Sequence, residues 1–393
     1  MKIIVVGGGA SGLARAYCRA KKGHKVSVVE RASACGKKLL ATGNGRCNYF
    51  NSDMSLRHFH SCGGENPGEI ITAENLDRLK NLYSEIGIVP VVKDGYWYPR
   101  SQQAVTVLNS LKRACKTAGA EIVCDTEITD ISNKDGKFLL NGKFYADKVI
   151  ICTGSPAYYK KENCLTYDFA KKFGHRVHAV KPALVRMCSD DRILKTVSGV
   201  RTNGEIALCD KNGVIRSQNG EIQFTDYGVS GICTMILSRE YQEGVFAQIN
   251  LVGDLAKTAA EFKKFFAEYG RAQNCTVGNI LDSVLNYKLS NAVCSRLKIS
   301  PDTPFYRLDK RAVDEISKEV TAFRLNITGT KGFNFAQTAS GGVSLSEIDS
   351  RTMQSKKQKG LYFCGEALDL DGDCGGYNLT AAFLTGMLAG ESV

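Results

Sequence analysis

Apolar positions along this chain follow two rhythms, and they change from one stretch to the next. Met1–Val6 is a short apolar run, a glycine turn follows, and Leu13 to about Lys22 has helical spacing before a second apolar run from Lys25 to Val29. That succession predicts strand, helix, strand. Helical periodicity returns from Ala73 to Gly87 and from Gln103 to Ala118, and Glu121–Cys124 reads as a strand. Phe138–Leu140 and Lys143–Tyr145 flank Asn141-Gly142, the favoured dipeptide of a tight hairpin. Lys148–Cys152 is a buried-strand candidate that ends in Thr153-Gly154.

The character changes near Ser155. Lys181 to Val252 alternates short apolar runs with polar turns and predicts β-rich structure, whereas Leu255–Tyr269, Val277–Leu285 and Val313–Glu319 have helical spacing. Gly341-Gly342-Val343 reads as a turn into a strand, Gly360–Glu366 as a strand running into a glycine loop, and Leu379–Ala389 as a helix. The stretch from Gly36 to Asn48 carries too many glycines to predict a helix. Strand, glycine loop and helix at both ends imply one α/β domain split by a large insertion. The expected boundaries are 1–155 for its first part, 156–252 for a β-rich insertion, 253–320 for a helical subdomain, 321–336 for the return and 337–393 for its second part.

The first glycine turn is Gly7-Gly8-Gly9-Ala10-Ser11-Gly12, a G-x-G-x-x-G spacing between strand and helix. In such a turn Gly7 permits the tight bend, Gly9 lets backbone approach a pyrophosphate and Gly12 lets helix and strand pack closely. The helix start offers unpaired N–H groups to the phosphates. Glu30, at the end of the second strand and about 20 residues on, can accept from a ribose hydroxyl. An acid there argues for FAD or NAD rather than NADP. No second such turn follows a strand, so no separate nicotinamide domain is visible. Far along the chain Gly365-Glu366, Asp369, Asp371, Gly372 and Gly375-Gly376-Tyr377-Asn378 crowd together before the last helix. Backbone N–H groups and a helix's positive end suit the electron-rich edge of a reduced flavin.

Composition narrows the class. With 393 residues, two or three domains are expected. The hydrophobic share of 43% is ordinary, no run reaches a membrane-spanning length, and the apolar start is too short for a signal peptide, so a cytoplasmic protein is expected. Fifteen cysteines are scattered singly with no C-x-x-C pair. They read as reduced, buried thiols and argue against a dithiol reductase, and no spacing suits a zinc site. The net charge of +12 is spread in doublets such as Lys21-Lys22, Lys160-Lys161, Lys263-Lys264 and Lys356-Lys357. That spread argues for attraction of an anionic small-molecule substrate and cofactor phosphates rather than dedicated nucleic-acid binding.

These motifs together resemble a family of bacterial FAD-dependent flavoproteins that includes aminoacetone oxidase-like proteins and 3-dehydro-bile-acid Δ4,6-reductase. The resemblance rests on Gly7–Gly12 with Glu30; Gly36-Lys37-Lys38 with Gly45-Arg46-Cys47-Asn48; Ala146-Asp147 leading to Thr153-Gly154; and Pro182–Val185. It continues through Phe224-Thr225 with Gly228, Ser230 and Gly231; Gly341–Val343; Thr352-Met353 with Ser355-Lys356; and Gly360–Glu366 with Gly375–Asn378. It implies a glutathione-reductase-like FAD domain of Rossmann type, split by an inserted β-barrel-like domain and a small helical domain. By motif, Gly7, Gly9, Ala10, Ser11 and Gly12 would take the pyrophosphate, and Glu30 and Arg31 the adenosine end, with Ile128 beside adenine. Lys38, Gly45, Arg46, Cys47, Thr153 and Gly154 would lie along the cofactor. Gly365, Glu366, Asp371, Gly376, Tyr377, Asn378 and Leu379 would hold the ribityl chain and flavin. Three departures stand out: Ser155–Asn163 replaces a Gly/Ser/Thr/Asp-rich loop, Asp226 stands where the family often has histidine, and Cys374 replaces threonine.

The resemblance implies an FAD-dependent oxidoreductase that exchanges a hydride through flavin N5. Arg46 as an anion or carbonyl clamp, Asp226 as acid/base and Tyr377 as donor are the candidate catalytic groups. Each has an ordinary alternative: neutralising a phosphate, capping a turn, packing on a ring. Cys47 is either a redox-active thiol or a buried structural one. NAD(P)H-driven reduction of an enone-like small molecule is the first expectation and oxidation of an aminoacetone-like amine the second. A flavin-dependent RNA-modifying enzyme and a non-catalytic FAD-binding redox sensor are the readings from other classes.

Overall fold

β1 (Lys2–Val6) buries Ile3, Ile4, Val5 and Val6 at once, so it needs cover on both faces. The computed structural model, which describes residues 1–134, 136–158, 164–273 and 275–391, supplies that cover. β1 pairs in parallel with β2 (Lys25–Val29) on one side and Lys148–Ile151 on the other. Leu361–Phe363 and Glu121–Val123 extend the two edges to give a five-stranded parallel sheet. A three-stranded antiparallel sheet, Ile131–Lys134, Lys137–Leu140 and Phe144–Ala146, belongs to the same unit. Asn141 and Gly142 turn its second hairpin with φ of 48° and 67°, the left-handed pair that Asn-Gly favours.

α1 (Ala10–Ala20) packs against the C-terminal helix Tyr377–Glu391. The crossing is close because the contacts are small: a Cβ built at Gly386 would lie 2.4 Å from the Ser11 carbonyl oxygen, and one at Gly390 would lie 2.5 Å from Cys18 Cβ. The chain's two ends are thereby joined in one domain.

Contacts divide the chain into two units, Met1–Lys181 with Gln337–Val393, and Pro182–Ala336. Residues 156–181 therefore group with the first unit, not with the β-rich segment as their sequence suggested. The second unit holds a seven-stranded antiparallel sheet. Its outermost strands, Phe323–Asn326 and Gly329–Thr330, are separated in sequence only by Ile327 and Thr328, so the sheet curls until its edges approach. Helices Ala259–Gln273, Val277–Asp282, Tyr287–Leu297 and Lys310–Thr321 share a single core with that sheet, where Phe262, Ile280, Leu289 and Ile316 meet Ile206 and Phe224.

Several local expectations shift. Lys37–Ala41 is a short helix despite the neighbouring glycines, because Gly36 takes a left-handed φ of 79° just before it. The strand near Gly341 is Thr338–Ser340 and precedes the glycines. A Cβ at Gly341 would lie 2.2 Å from the Ala179 carbonyl oxygen, so that pair marks a close backbone crossing rather than a strand entry. Leu255 lies in a short 3-10 turn, and the following helix starts at Ala259. All fifteen cysteines are free thiols. Among the described residues no helix is long and apolar enough to cross a membrane.

Candidate functional site

The turn between β1 and α1 opens into a cleft of about 1400 Å³, open space at its mouth included, lined wholly by the first unit. Each glycine of the turn has a separate reason. Gly7 has φ 107°, and a Cβ there would lie 2.4 Å from the Cys152 carbonyl oxygen. A Cβ at Gly12 would lie 2.0 Å from the Gly7 carbonyl oxygen, so Gly12 packs against the turn and does not line the cleft. A Cβ at Gly9 would meet nothing within 4 Å, which leaves its backbone open to a ligand.

The first-turn N–H groups of α1 follow directly. Gly9 caps the helix without a side-chain acceptor, and the first intrahelical bond recorded is from Leu13 N–H to the Gly9 carbonyl. The C-terminal helix repeats the arrangement: Thr380 N–H bonds the Gly376 carbonyl, while Asn378 and Leu379 line the same cleft as Ala10 and Ser11. Two helix N-termini thus present positive ends to one cleft. A ligand with anionic and electron-rich centres along its length fits that donor set.

Glu30 marks one end. Its carboxylate accepts from Gly8 N–H at 2.7 Å and Ala32 N–H at 2.8 Å, which fixes it beside the turn with lone pairs to spare. Arg31, Thr126, Glu127 and Ile128 lie near it along the wall. Lys38 and Glu366 mark the other end as an ion pair 328 residues apart in sequence. The second Glu366 oxygen accepts from Thr338 Oγ1 at 2.7 Å and Ala339 N–H at 3.1 Å. Asn378 is locked through Gly372, donating to its carbonyl at 2.7 Å and accepting from its N–H at 2.9 Å. Thr153, Gly154 and Gly365 also line the cleft.

Other candidates lie elsewhere. Gly45 and Arg46 sit on an exposed loop outside the cleft lining, so Arg46 is not placed at the pyrophosphate turn. Cys47 is fully buried, and burial pushes its thiol up to about 12, which makes it a poor nucleophile. Asp371 is buried in a two-residue strand paired with His60 and Phe59. Gly376 faces backbone, since a Cβ there would lie 2.6 Å from the Phe50 carbonyl oxygen. Tyr377 turns away from the cleft lining, stacked on His58 and edge-on to Phe59. Asp226 belongs to the second unit, in the turn between Gly213–Thr225 and Gly228–Ser230, and is not among the cleft-lining residues. Ser155 and Pro156 line the cleft, whereas Tyr159–Asn163, including Lys160-Lys161, lies outside the described residues.

Sequence reading missed a charged network beside Tyr377. The buried Asp373 carboxylate contacts His58 Nδ1 and His60 Nε2, each at 3.0 Å, and His58 Nε2 reaches Asp53 at 3.2 Å. The sequence His58-Phe59-His60 was the available signal, with His58 closing a 3-10 turn and His60 ending the two-residue strand Phe59–His60. A second cluster, Glu65, His178 and Asp369, brings one ligand atom each within 4.8 Å. Its carboxylates are already engaged: Asp369 accepts from Ser61 Oγ and the N–H groups of Cys62 and Gly63, and Glu65 from Ser344 and Ser346. Those bonds tie the loop at Ser61–Glu65 to Ser344–Ser346.

Parallel sheet, glycine turn, acidic strand end and a second helix start in one cleft define the class: an FAD-dependent oxidoreductase on a Rossmann-type domain. The chain belongs to the family described as HI0933-like protein Rossmann domain, which matches residues 1–392. It is 29% identical over 403 residues to a 3-dehydro-bile acid delta(4,6)-reductase of Clostridium scindens, covering 100% of this chain and 98% of that one. It is 27% identical over 400 residues to a ribosomal RNA dihydrouridine synthase of Escherichia coli, covering 97% of this chain and 94% of that one. Among solved structures, 3-ketosteroid-Δ4-(5α)-dehydrogenase from Rhodococcus jostii RHA1 shares the fold, with a TM-score of 0.50 and 14% identity over 99% of this chain and 96% of that one.

Proposed function

We propose that the protein reduces a carbon–carbon double bond conjugated to a carbonyl, using NAD(P)H as electron donor and a small molecule as substrate. The overall change consumes one NAD(P)H and one proton per double bond. The full-length similarity to a reductase of a 3-dehydro bile acid carries this reading. FAD, when bound, supplies hydride transfer in two half-reactions. The chain's own residues bind and orient it. The open backbone at Gly9 and the first turn of α1 hold the pyrophosphate, with Ala10 and Ser11. Glu30 holds the adenosine ribose, with Arg31 and Ile128 at that end. Lys38, Glu366, Asn378 and Leu379 hold the ribityl and flavin end, where the second helix start favours negative charge.

The test is anaerobic. NADH or NADPH should bleach the bound flavin, and a 3-oxo-4-ene bile acid should restore its colour with formation of the saturated ketone. Rapid bleaching by aminoacetone alone, with no response to NAD(P)H, would replace this reading by the oxidase. A second reading keeps the chemistry and changes the substrate. The E. coli relative is named for dihydrouridine formation in ribosomal RNA, and the C5=C6 bond of uridine is also conjugated to a carbonyl. Reoxidation of the reduced protein by unmodified ribosomal RNA but by no steroid enone, with steeply salt-dependent binding, would select it.

A further inference from the structure

The short sheet beside the C-terminal glycine loop presents a surface that the cofactor does not account for. Tyr96–Pro99 pairs with Phe50–Asn51 and with Pro90–Lys93, and Tyr96 and Tyr98, two residues apart, project from one face. Trp97 points from the other, edge-on to Phe50 at 5.1 Å with its indole N–H on Ser52 Oγ at 3.0 Å. Tyr96 lies against the loop, since a Cβ at Gly375 would stand 3.0 Å from its Cε1. Tyr49, three residues after Arg46, donates its N–H to the Trp97 carbonyl at 3.0 Å, which runs the Arg46 segment alongside this strand, and Tyr98 has Arg46, Tyr96 and Cys374 as its electrostatic neighbours. Both rings remain half-buried rather than sealed.

Arg46 completes the surface. It follows Gly43, Asn44 and Gly45, all in left-handed conformations with φ of 55°, 53° and 81°, and Cys47 after it has φ 60°. A non-glycine residue held there is backbone strain maintained by its surroundings. The guanidinium is exposed, and among the described residues no carboxylate pairs with it. Gly375 stands three residues before Asn378, which lines the cofactor cleft. Asn51 Nδ2 holds the Gly375 carbonyl at 2.9 Å and Asn378 bonds Gly372, so this sheet and the end of the cleft assigned to the flavin share the Gly372–Asn378 loop.

We propose that Arg46, Tyr96 and Tyr98 form the substrate seat, taking a flat conjugated carbonyl ring against the two tyrosines and an anionic substituent of that ring system on Arg46. This rests on the reductase reading above. Aromatic faces accept flat rings of many kinds, and a guanidinium selects carboxylate or phosphate by paired hydrogen bonds. A bile-acid carboxylate and a uridine phosphate share that chemistry.

Titration of the oxidised FAD holoenzyme without nicotinamide separates binding from turnover, with perturbation of the flavin absorbance as the signal. The probes are a 3-oxo-4-ene bile acid against neutral 4-androstene-3,17-dione, and uridine 5′-monophosphate against uridine. In whichever pair binds, the charged member should bind tighter by roughly tenfold or more, the scale of a hydrogen bond to a charged group. Arg46→Met should erase that preference and leave the neutral probe unchanged, while Arg46→Lys should retain part of it. Tyr98→Leu should weaken both members alike, and Tyr98→Phe should leave both in place. Each variant must match the native protein in FAD content and thermal unfolding. Equal affinity of native protein for charged and neutral probes, or a loss in Arg46→Met that falls equally on both, overturns the seat. If neither pair binds while an enone still reoxidises reduced flavin, the seat fails and the reductase reading stands. Failure of every enone to reoxidise the flavin removes the reading itself.

Discussion

The imidazole of His58 lies face to face with the ring of Tyr377, their centroids 4.5 Å apart and their planes 16° from parallel. The stack turns the phenol that opens the C-terminal helix away from the cofactor cleft. It is held from behind by Asp373, which contacts both His58 and His60. Asp373→Asn should therefore destabilise the protein by about 1–3 kcal/mol, the scale of a buried polar network that loses its charge-assisted bonds. Urea denaturation measures it. Tyr377→Phe keeps the stack and should change stability by less, so equal losses in the two variants would refute this account of the loop.

Gly9 and Gly12 separate ligand binding from folding. Gly12→Ala forces a Cβ to within 2.0 Å of the Gly7 carbonyl oxygen and should prevent a stable fold or shift the turn enough to abolish FAD retention. Gly9→Ala meets nothing within 4 Å and should fold normally but retain little FAD. Flavin content after purification and apo-protein melting temperature report the two effects.

Lys38 and Glu366 should show strong coupling. Lys38→Met leaves a part-buried carboxylate without its cation and should weaken FAD retention and lower thermal stability. Adding Glu366→Gln should recover part of the loss, because the neutral amide needs no counter-charge. A double-mutant cycle on FAD affinity and melting temperature tests it, and strict additivity would show that the ion pair is idle.

Stability should rise with pH across the range just below the ordinary histidine value. Burial pushes the His175 imidazole below its usual value of 6.5, against a smaller opposing pull from Glu347. The unfolded chain then binds a proton that the folded chain excludes, so stability is complete above 6.5 and falls as pH drops towards the folded value. Urea midpoints between about pH 5 and 7.5 should show this slope, and His175→Gln should flatten it. Glu65, which hydrogen bonds from Ser344 and Ser346 lower to about 2 in spite of burial, adds a second loss in more acid solution.

Much of the first unit was legible from short stretches. Apolar runs at Lys2–Val6 and Lys25–Val29, with the turn between them, correspond to β1, α1 and β2. The Asn141-Gly142 hairpin and the helices at Ala73 and Ala104 were also readable. Helices Leu165–Lys172 and Tyr287–Leu297 were not: the first has no side-chain cap to mark its start, and the second follows so soon after Val277–Asp282 that its Asn286 cap read as part of the break. Lys37–Ala41 escaped because glycines around a helix look locally like glycines within one.

Chain-local chemistry was enough to identify a dinucleotide turn and its acidic partner, because the positive φ of Gly7, the contact of Gly12 with the Gly7 carbonyl and the reach of Glu30 to Gly8 N–H all lie within about 25 residues. The pairing of Lys38 with Glu366 and of Asp373 with His58 and His60 joins positions more than 300 residues apart in sequence. Neither side's sequence encodes its partner: only packing the two ends of the chain into one domain brings those charges together. The same packing directs Tyr377 onto His58 and leaves Arg46 outside the cleft. Side-chain direction after a pair of glycines follows from what surrounds the backbone, and no local pattern contains that.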